Sequence, residues 1–137
     1  MEFWLTGPVN NILHIQQRIE KDQDSWATHG FGDWAVCVAS SEDMIGFCGL
    51  HFVEGMSEVN LGFVLDRVSW GKGYGTEAAV AALKFGFEHT AIDEVVGVAA
   101  PDNQPAIALL VKCGMSFAKN ILRRSKTRVV YSIRRLT

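Results

Sequence analysis

The chain has 137 residues, of which 48% are hydrophobic and 20% charged, and its formal net charge at pH 7 is −2. This length fits one domain, and the hydrophobic fraction excludes a disordered chain. The apolar runs fall short of the roughly 20 residues of a membrane span, and the first residues lack the layout of a secretory signal. Three cysteines without metal-ligand spacing indicate a reducing compartment. We therefore expect one soluble cytoplasmic domain over residues 1–137, with no metal and no membrane partner.

The charge is distributed unevenly along the chain. Residues 1–102 contain 5 basic and 15 acidic side chains, whereas residues 103–137 contain 8 basic and no acidic ones. A basic tail is typical of nucleic-acid binding. Between positions 121 and 135, however, arginines and lysines are interleaved with aliphatic residues and a tyrosine, which favours a hairpin with one solvated face. Nucleic acid is therefore the less favoured partner.

The first half of the chain predicts a helix and two strands. Apolar residues recur every three or four positions between 9 and 26, as on one face of a helix. Two apolar runs around a short turn predict an antiparallel pair. If Ser41 opposes Met44, Cys37 lies opposite Cys48, and in a reducing compartment we expect both thiols to be free. The predicted elements are a helix Val9–Trp26, a loop Thr28–Asp33, and strands Trp34–Ser40 and Met44–Phe52.

The second half adds a strand, a crossover helix and further strands. Apolar residues alternate strictly over Glu58–Asp66, which predicts a strand, and small residues line the helix that follows. Antiparallel strands followed by a strand–helix–strand crossover indicate a mixed α/β sheet. The predicted elements are a helix Gly75–His89, a strand Glu94–Ala100, a helix Pro105–Cys113 capped by Gly114, and strands Ser116–Arg123 and Arg128–Arg135.

A glycine-dense turn leads into the helix at residues 75–89. Gly71, Gly73 and Gly75 let the backbone approach a ligand closely, and the first helical turn leaves N–H groups without intrahelical partners. Together they predict an anion cradle suited to a pyrophosphate. An ordinary glycine-rich turn explains the same spacing. The P-loop pattern does not fit because Lys72 precedes Gly73, and the glycine spacing of a dinucleotide site is also missing.

Several segments in consistent order resemble the GNAT superfamily of N-acetyltransferases, and more narrowly the branch that acetylates ribosomal-protein N-termini (Rim-type). The resemblance covers residues 1–135 and implies a single acetyl-CoA-dependent N-acetyltransferase-like domain. It also implies the GNAT fold, α/β (α+β), with a mixed, mostly antiparallel central sheet and helices on both faces. The segments that carry it are Gly30–Val36, Ile45–Leu50, Leu61-Gly62-Phe63, Trp70-Gly71-Lys72-Gly73-Tyr74-Gly75-Thr76-Glu77-Ala78, Asn103-Gln104-Pro105-Ala106 and Lys112–Met115.

The resemblance implies a site for acetyl-CoA, as co-substrate, between two strands that splay apart. Backbone groups of Phe63 and Val64 would meet the pantetheine arm, amides of the glycine turn would bind the pyrophosphate, and Asn103 would lie near the thioester. The cofactor-binding residues that the resemblance implies are Phe63, Val64, Trp70, Gly71, Lys72, Gly73, Tyr74, Gly75, Thr76 and Asn103.

The family transfers acetyl by direct attack of a neutral amine on the thioester, and this chain departs from its acid–base pattern. Asn60 stands where the branch often has glutamate, and Glu58, on the same face, is the nearest replacement as a base. Ala106 stands where relatives often have a serine, and Leu110 stands where relatives have a tyrosine that acts as general acid. No general acid is therefore evident. The catalytic candidates are Glu58, Asn60 and Asn103. His29 and His51 could assist, although a loop or strand-edge role is the more common one for such histidines.

The resemblance also suggests that a first strand and helix of the family are absent from the front of the chain. Strand 34–40 would then be a sheet edge with unpaired backbone groups, and we expect a homodimer that covers it. The favoured function is acetyl transfer to a primary amine, on a peptide or protein N-terminus or a small molecule. A degenerate acyl-CoA-binding module and an aminoglycoside-type acetyltransferase remain open as alternatives.

Overall fold

The computed structural model describes residues 27–37, 44–53, 55–66 and 73–135. The helix predicted at 9–26 lies outside these residues. Six described strands form one sheet in the order β1-β2-β3-β4-β6-β5, in which only β3 and β4 are parallel neighbours. The mixed, mostly antiparallel sheet is therefore confirmed. In chain order the elements are β1 Asp33–Cys37, β2 Met44–Phe52, β3 Val59–Leu65, α1 Tyr74–His89, β4 Glu94–Ala99, α2 Gln104–Lys112, β5 Ser116–Arg123 and β6 Lys126–Arg134.

The two described helices pack on the same face of the sheet. A Cβ added at Gly86 of α1 would meet Leu50 of β2, and one added at Gly97 of β4 would meet Leu110 of α2. Leu50, Gly97 and the fully buried Val95 share this face, because side chains alternate along each strand and paired residues point the same way. Small residues on α1 allow this close approach. Each buried leucine or valine contributes roughly 1.5–3 kcal/mol to folding.

The register between β1 and β2 differs from the predicted one. Trp34 pairs with Cys48, and Cys37 pairs with Met44 after an irregularity between Val36 and Cys37. The predicted pairing of Cys37 with Cys48 is therefore wrong. The prediction assumed a three-residue turn, whereas residues 38–43 connect the two strands. Both thiols are free, as expected.

The basic hairpin at the end of the chain forms as predicted. Its two-residue turn consists of Arg124 and Ser125, both with positive φ, as the twist of a tight hairpin requires. β5 is the outermost described strand on this side, and most of its residues are exposed. Across the described ranges, the helices fall short of the length and apolar character that crossing a bilayer would require.

Candidate functional site

Two parallel strands part in the middle of the sheet and leave a fork between them. β3 and β4 pair only at Val59–Val95 and Asn60–Val96. Beyond these residues, β3 continues to Leu65 alongside β2, and β4 continues alongside β6. The predicted V-shaped gap between splayed strands is therefore present, and it opens directly after Asn60.

Alternate residues of β3 direct their backbone groups into this fork. The N–H of Asp66 donates to the carbonyl of Ile45 in β2 at 2.7 Å, so the even-numbered residues of β3 bond to β2. The carbonyl of Val64 accordingly lies against β2. The N–H and C=O groups of Leu61, Phe63 and Leu65 point towards the gap by the same alternation. As a backbone partner for a ligand in the fork, Phe63 is therefore favoured over Val64.

The N-terminus of α1 lies at the open end of the fork, after β3. Its N-cap, Gly73, has φ 82° and ψ −1°, and within the described part of the chain no side chain caps the helix by a hydrogen bond. The first intrahelical bond runs from the N–H of Glu77 to the carbonyl of Gly73, so the N–H groups of Tyr74, Gly75 and Thr76 have no intrahelical partner. These three amides and the helix dipole would favour an anion at this position.

The glycines of this turn play different parts. A Cβ at the buried Gly75 would lie 2.7 Å from a methyl group of Leu109 and 3.3 Å from one of Leu65, so this residue lets α1 pack closely against α2 and β3. At Gly73 the positive φ, rather than crowding, requires glycine. Trp70, Gly71 and Lys72, the other predicted residues of the cradle, lie outside the described residues.

The N-terminus of α2 lies at the same end of the fork, because it follows β4 and the two strands are parallel. Asn103 is its N-cap, and the side-chain carbonyl accepts a hydrogen bond from the N–H of Ala106 at 3.2 Å. Asn103 is exposed. Its side-chain NH₂ group can therefore donate to a ligand while the carbonyl oxygen caps the helix.

Two catalytic candidates, Asn60 in β3 and Glu58 just before it, are engaged with other groups. Asn60 is 7% exposed, and its side-chain amide donates to the carbonyl of Glu58 at 3.1 Å. The Glu58 carboxylate accepts a hydrogen bond from the Lys119 ammonium at 3.1 Å. This bond holds the pKa of Glu58 below its ordinary value, which weakens the carboxylate as a base.

A histidine–aspartate pair that the sequence analysis missed lies beside Asn60. Nε2 of His51 is 2.6 Å from Oδ1 of Asp33, and the Asp33 side chain is 7% exposed. His51 is also the direct cross-strand partner of Asn60. The pair arises because Asp33 lies opposite Gly49, two residues from His51 on the same face. The residue types alone carry no signal for this pair, because it depends on the register of β1 on β2.

Two cysteines near the core are unsuited to nucleophilic chemistry. Burial, with smaller contributions from Asp33 and Cys113, raises the pKa of Cys48 to about 12. Burial also raises the pKa of Cys113. Both thiols are therefore protonated at neutral pH, whereas the thiolate is the reactive form. Among the described residues, no group of three or more His, Cys, Asp and Glu side chains could hold a metal ion.

Comparison with known sequences identifies related proteins. The family model for the acetyltransferase (GNAT) domain matches residues 1–116. The chain is 29% identical to the uncharacterized protein YkkB of Bacillus subtilis (strain 168) over 105 residues, which cover 75% of this chain and 61% of YkkB. It is 31% identical to the uncharacterized N-acetyltransferase p20 of Bacillus licheniformis over 120 residues, covering 85% of this chain and 65% of p20. The chain thus spans less than two thirds of the length of either relative.

Solved structures share the fold. An acetyltransferase from Agrobacterium tumefaciens str. C58 superposes with a TM-score of 0.80 at 23% identity, over 91% of this chain and 73% of that one. A ribosomal-protein-S5-alanine acetyltransferase from Vibrio fischeri gives 0.78 at 13% identity, over 96% and 78%. The microcin C7 self-immunity acetyltransferase MccE, in complex with acetyl-CoA and AMP, gives 0.74 at 18% identity, over 91% and 72%.

Proposed function

This chain belongs to the GNAT acetyltransferase family, and on that premise we propose that it transfers the acetyl group of acetyl-CoA to a primary amine. The favoured acceptor is the α-amino group of a peptide or protein. One observation carries the proposal: the sheet opens directly after the Asn60–Val96 pair, and two helix N-termini lie at the open end of the fork. This arrangement offers a slot for an extended acyl arm and amide donors for phosphates.

The described residues fit acetyl-CoA in three places. Backbone groups of Phe63 face the fork and would pair with the amide-rich pantetheine arm, as a neighbouring strand would. The N–H groups of Tyr74, Gly75 and Thr76 would bind the pyrophosphate. The side-chain NH₂ of Asn103 would donate to the arm from the β4 side. The reactive end would then lie near Asn60, where the two strands meet.

The residues around the fork favour direct attack by the amine. Cys48 and Cys113 are protonated at neutral pH and so are poor acyl carriers. The attacking amine must be neutral. An α-amino group with a pKa near 8 is about one tenth neutral at pH 7, whereas a lysine side chain with a pKa near 10.4 is about 0.04% neutral. Acetylation of an α-amino group therefore demands less of a base than acetylation of lysine.

The choice of acceptor is also supported by proteins that share the fold. The Vibrio fischeri protein is named for the alanine of ribosomal protein S5, and this name supports a protein N-terminus as the first acceptor to test. The excess of acidic residues in positions 1–102 would attract a cationic acceptor. Polyamines and aminoglycosides therefore belong in the same assay.

Two measurements test the proposal. Calorimetry should detect acetyl-CoA binding, and a thiol assay should show CoA release with peptides that begin with alanine or serine, ahead of spermidine and aminoglycosides. Binding without release for any amine would favour the alternative, an acyl-CoA-binding module that lacks turnover. Absence of binding at millimolar acetyl-CoA would overturn both. Release with aminoglycosides alone would favour an aminoglycoside-type enzyme.

We also propose a homodimer in which a second copy pairs with β1. This strand is the outermost one at its end of the described sheet, and a strand edge offers N–H and C=O groups to another chain. A cavity of about 670 Å³ between β1 and α1, lined by residues such as Trp34 and Phe85, lies beside this edge. Light scattering at micromolar concentration should give twice the chain mass, and a monomer would refute the proposal.

A further inference from the structure

The pair of His51 and Asp33 has the composition of a general base and its orienting acid. Nε2 of His51 and Oδ1 of Asp33 are 2.6 Å apart, and the side chains are 26% and 7% exposed, respectively. A carboxylate only accepts hydrogen bonds, so the shared hydrogen lies on Nε2. The other ring nitrogen, Nδ1, then carries the basic lone pair. The exposed fraction of the imidazole lets a substrate reach it.

This pair lies one strand away from the place where the fork opens. His51 and Asn60 are directly paired in adjacent antiparallel strands, with a Cα separation of about 5.5 Å for a hydrogen-bonded pair. Asn60 in turn pairs with Val96 across the last rung before the gap. His51 and Asn60 share one face of the sheet, opposite the face that α1 and α2 cover. The imidazole is therefore a near neighbour of the residue at which the fork begins.

The described residues leave space between His51 and the fork on this face. Gly62 is the next residue on the same side of β3, and it contributes no side chain. Among the described residues, a Cβ built at Gly62 comes within 4 Å of one atom, Cδ2 of His51, at 3.8 Å. Because Nε2 faces Asp33 and Cδ2 faces Gly62, an acceptor amine would reach Nδ1 from the outer edge of the ring.

Asn60 and Glu58, which were predicted to be catalytic, are poor bases. Asn60 has an amide, which does not take up a proton near neutral pH, and this amide is bonded to the carbonyl of Glu58. Glu58 is tied to Lys119, and its pKa is lowered. Asn60 and Gly62 are the β3 residues on the same face as His51, and neither has a titratable side chain. Asp33 on β1 is the charged partner of the imidazole, and Glu58 with Lys119 is the next ion pair along the same face.

We infer that His51, oriented by Asp33, is the general base that deprotonates the acceptor amine in this chain. The inference rests on the proposed acetyl transfer. Nδ1 takes one proton from the ammonium form of the acceptor. The nitrogen lone pair then forms the C–N bond, and the C–S bond breaks with its electron pair on sulfur. The second proton leaves nitrogen for the CoA thiolate, and the imidazolium returns its proton to solvent.

The test compares three variants with the unaltered chain, with acetyl-CoA and an acceptor peptide. His51→Gln should lower kcat by about 100-fold, as expected for loss of a general base, and should leave the KM for acetyl-CoA within twofold. Asp33→Asn should lower kcat by a smaller factor, because the imidazole remains but is no longer oriented. His89→Gln, at the exposed end of α1, is the matched control and should retain full activity.

A second readout separates a base from a structural residue. The loss in His51→Gln should be greater for a lysine ε-amine than for a peptide α-amine, because the first is about 250-fold less often neutral at pH 7. Nitrogen-15 NMR of the histidine ring should show hydrogen on Nε2 and none on Nδ1 in the unaltered chain. In Asp33→Asn this tautomer should no longer dominate. Each variant should keep its acetyl-CoA affinity by calorimetry, which controls for folding.

The outcomes distinguish this inference from the function on which it rests. If the unaltered chain releases CoA and His51→Gln does so equally well, the role of His51 is refuted and the acetyl transfer stands. An equal loss for both classes of amine, or hydrogen on Nδ1, would also refute it. If the unaltered chain binds acetyl-CoA but turns over no amine, the proposed function fails, and the role of His51 fails with it.

Discussion

The two ends of α1 differ in the hydrogen-bond partners of their backbone groups. At its C-terminal end, the backbone N–H and the hydroxyl of Thr90 both donate to the carbonyl of Gly86, at 3.2 and 2.6 Å. The guanidinium of Arg135 donates to the carbonyls of Phe87, Thr90 and Ile92. At the N-terminal end, Gly73 provides a left-handed backbone turn and no side-chain cap.

This difference distinguishes a structural helix end from one that can receive a ligand. Carbonyl groups at a helix C-terminus need donors, and the chain supplies them from 45 residues away through Arg135. Three amides at the N-terminus keep their N–H groups free of the helix itself. The C-terminal carbonyls of α1 thus have hydrogen-bond donors from within the chain. The N-terminal amides remain as donors where, under the proposed function, a pyrophosphate would bind.

Replacing Arg135 with alanine should have the largest effect on stability. The variant would leave several part-buried carbonyls without their charged donor, and each such bond contributes about 1.5–3 kcal/mol before solvent replaces part of it. We expect the free energy of unfolding to fall by about 2–3 kcal/mol in urea titrations. The affinity for acetyl-CoA, measured by calorimetry on the folded variant, should be unchanged because the N-terminal end of α1 is untouched.

Arg134→Ala is the matched control for this variant. Its guanidinium is 74% exposed and forms a 3.6 Å ion pair with Glu94, so its loss should cost less than about 0.5 kcal/mol. Arg135→Lys keeps the charge but cannot bridge three carbonyls, and it should lose most of what alanine loses. Equal stabilities for the alanine variants at 134 and 135 would contradict the view that Arg135 finishes the helix.

Replacing Gly73 with alanine should have its main effect on ligand binding. Alanine at φ 82° is strained by about 1–2 kcal/mol, and the first turn of α1 would shift to relieve this strain. Loss of one charge-assisted hydrogen bond to a phosphate corresponds to about a tenfold weaker binding. We therefore expect the Kd for acetyl-CoA to rise about tenfold, as measured by calorimetry.

Gly55→Ala separates strain from binding. Gly55 also has a positive φ, 85°, and a Cβ there would meet no described atom within 4 Å. This variant should lose about as much stability as Gly73→Ala, about 1–2 kcal/mol, and should keep its acetyl-CoA affinity. If both variants lose affinity equally, the open end of α1 is not the phosphate site.

The sequence predicted the elements of this fold better than their pairing. The apolar run of β2 gave its bounds, Met44–Phe52, and strict alternation gave β3 to within one residue at each end. Both signals are local. The register of β1 on β2 depends instead on the connection between them, whose conformation the residue types do not determine. Assuming a three-residue turn displaced the pairing by three positions.

An odd displacement moves every side chain of a strand to the other face, and this is why the pair of His51 and Asp33 was missed. With the assumed register, Asp33 would lie opposite Phe52, on the face away from His51. In the structure it lies opposite Gly49, and the two side chains meet. Arg135 was likewise placed among solvated arginines, because its carbonyl partners at and just after the end of α1 are distant in sequence. Long-range contacts, rather than residue types, decided both cases.

Asn103 combines the two kinds of helix end, and its variants should show the smallest of these effects. Its carbonyl oxygen caps α2 through Ala106, whereas its NH₂ group is available to a ligand. Asn103→Ala should lower the free energy of unfolding by about 1 kcal/mol, the usual contribution of an N-cap. Asn103→Asp keeps an acceptor for the cap and removes the donor. We expect this variant to keep full stability and to bind acetyl-CoA a few-fold more weakly, as loss of a single hydrogen bond of about 0.5–1.5 kcal/mol requires.

If Asn103 only caps the helix, Asn103→Ala should lose stability and Asn103→Asp should not. In that case Asn103→Asp would match the unaltered chain in both urea titration and calorimetry, and the contribution of the β4 side of the fork to binding would be excluded. If both variants instead weaken acetyl-CoA binding equally while only Asn103→Ala loses stability, the cap and the ligand contact reside in different atoms of one side chain. One side chain would then both cap α2 through its carbonyl oxygen and donate to a ligand in the fork through its NH₂ group, which neither end of α1 does.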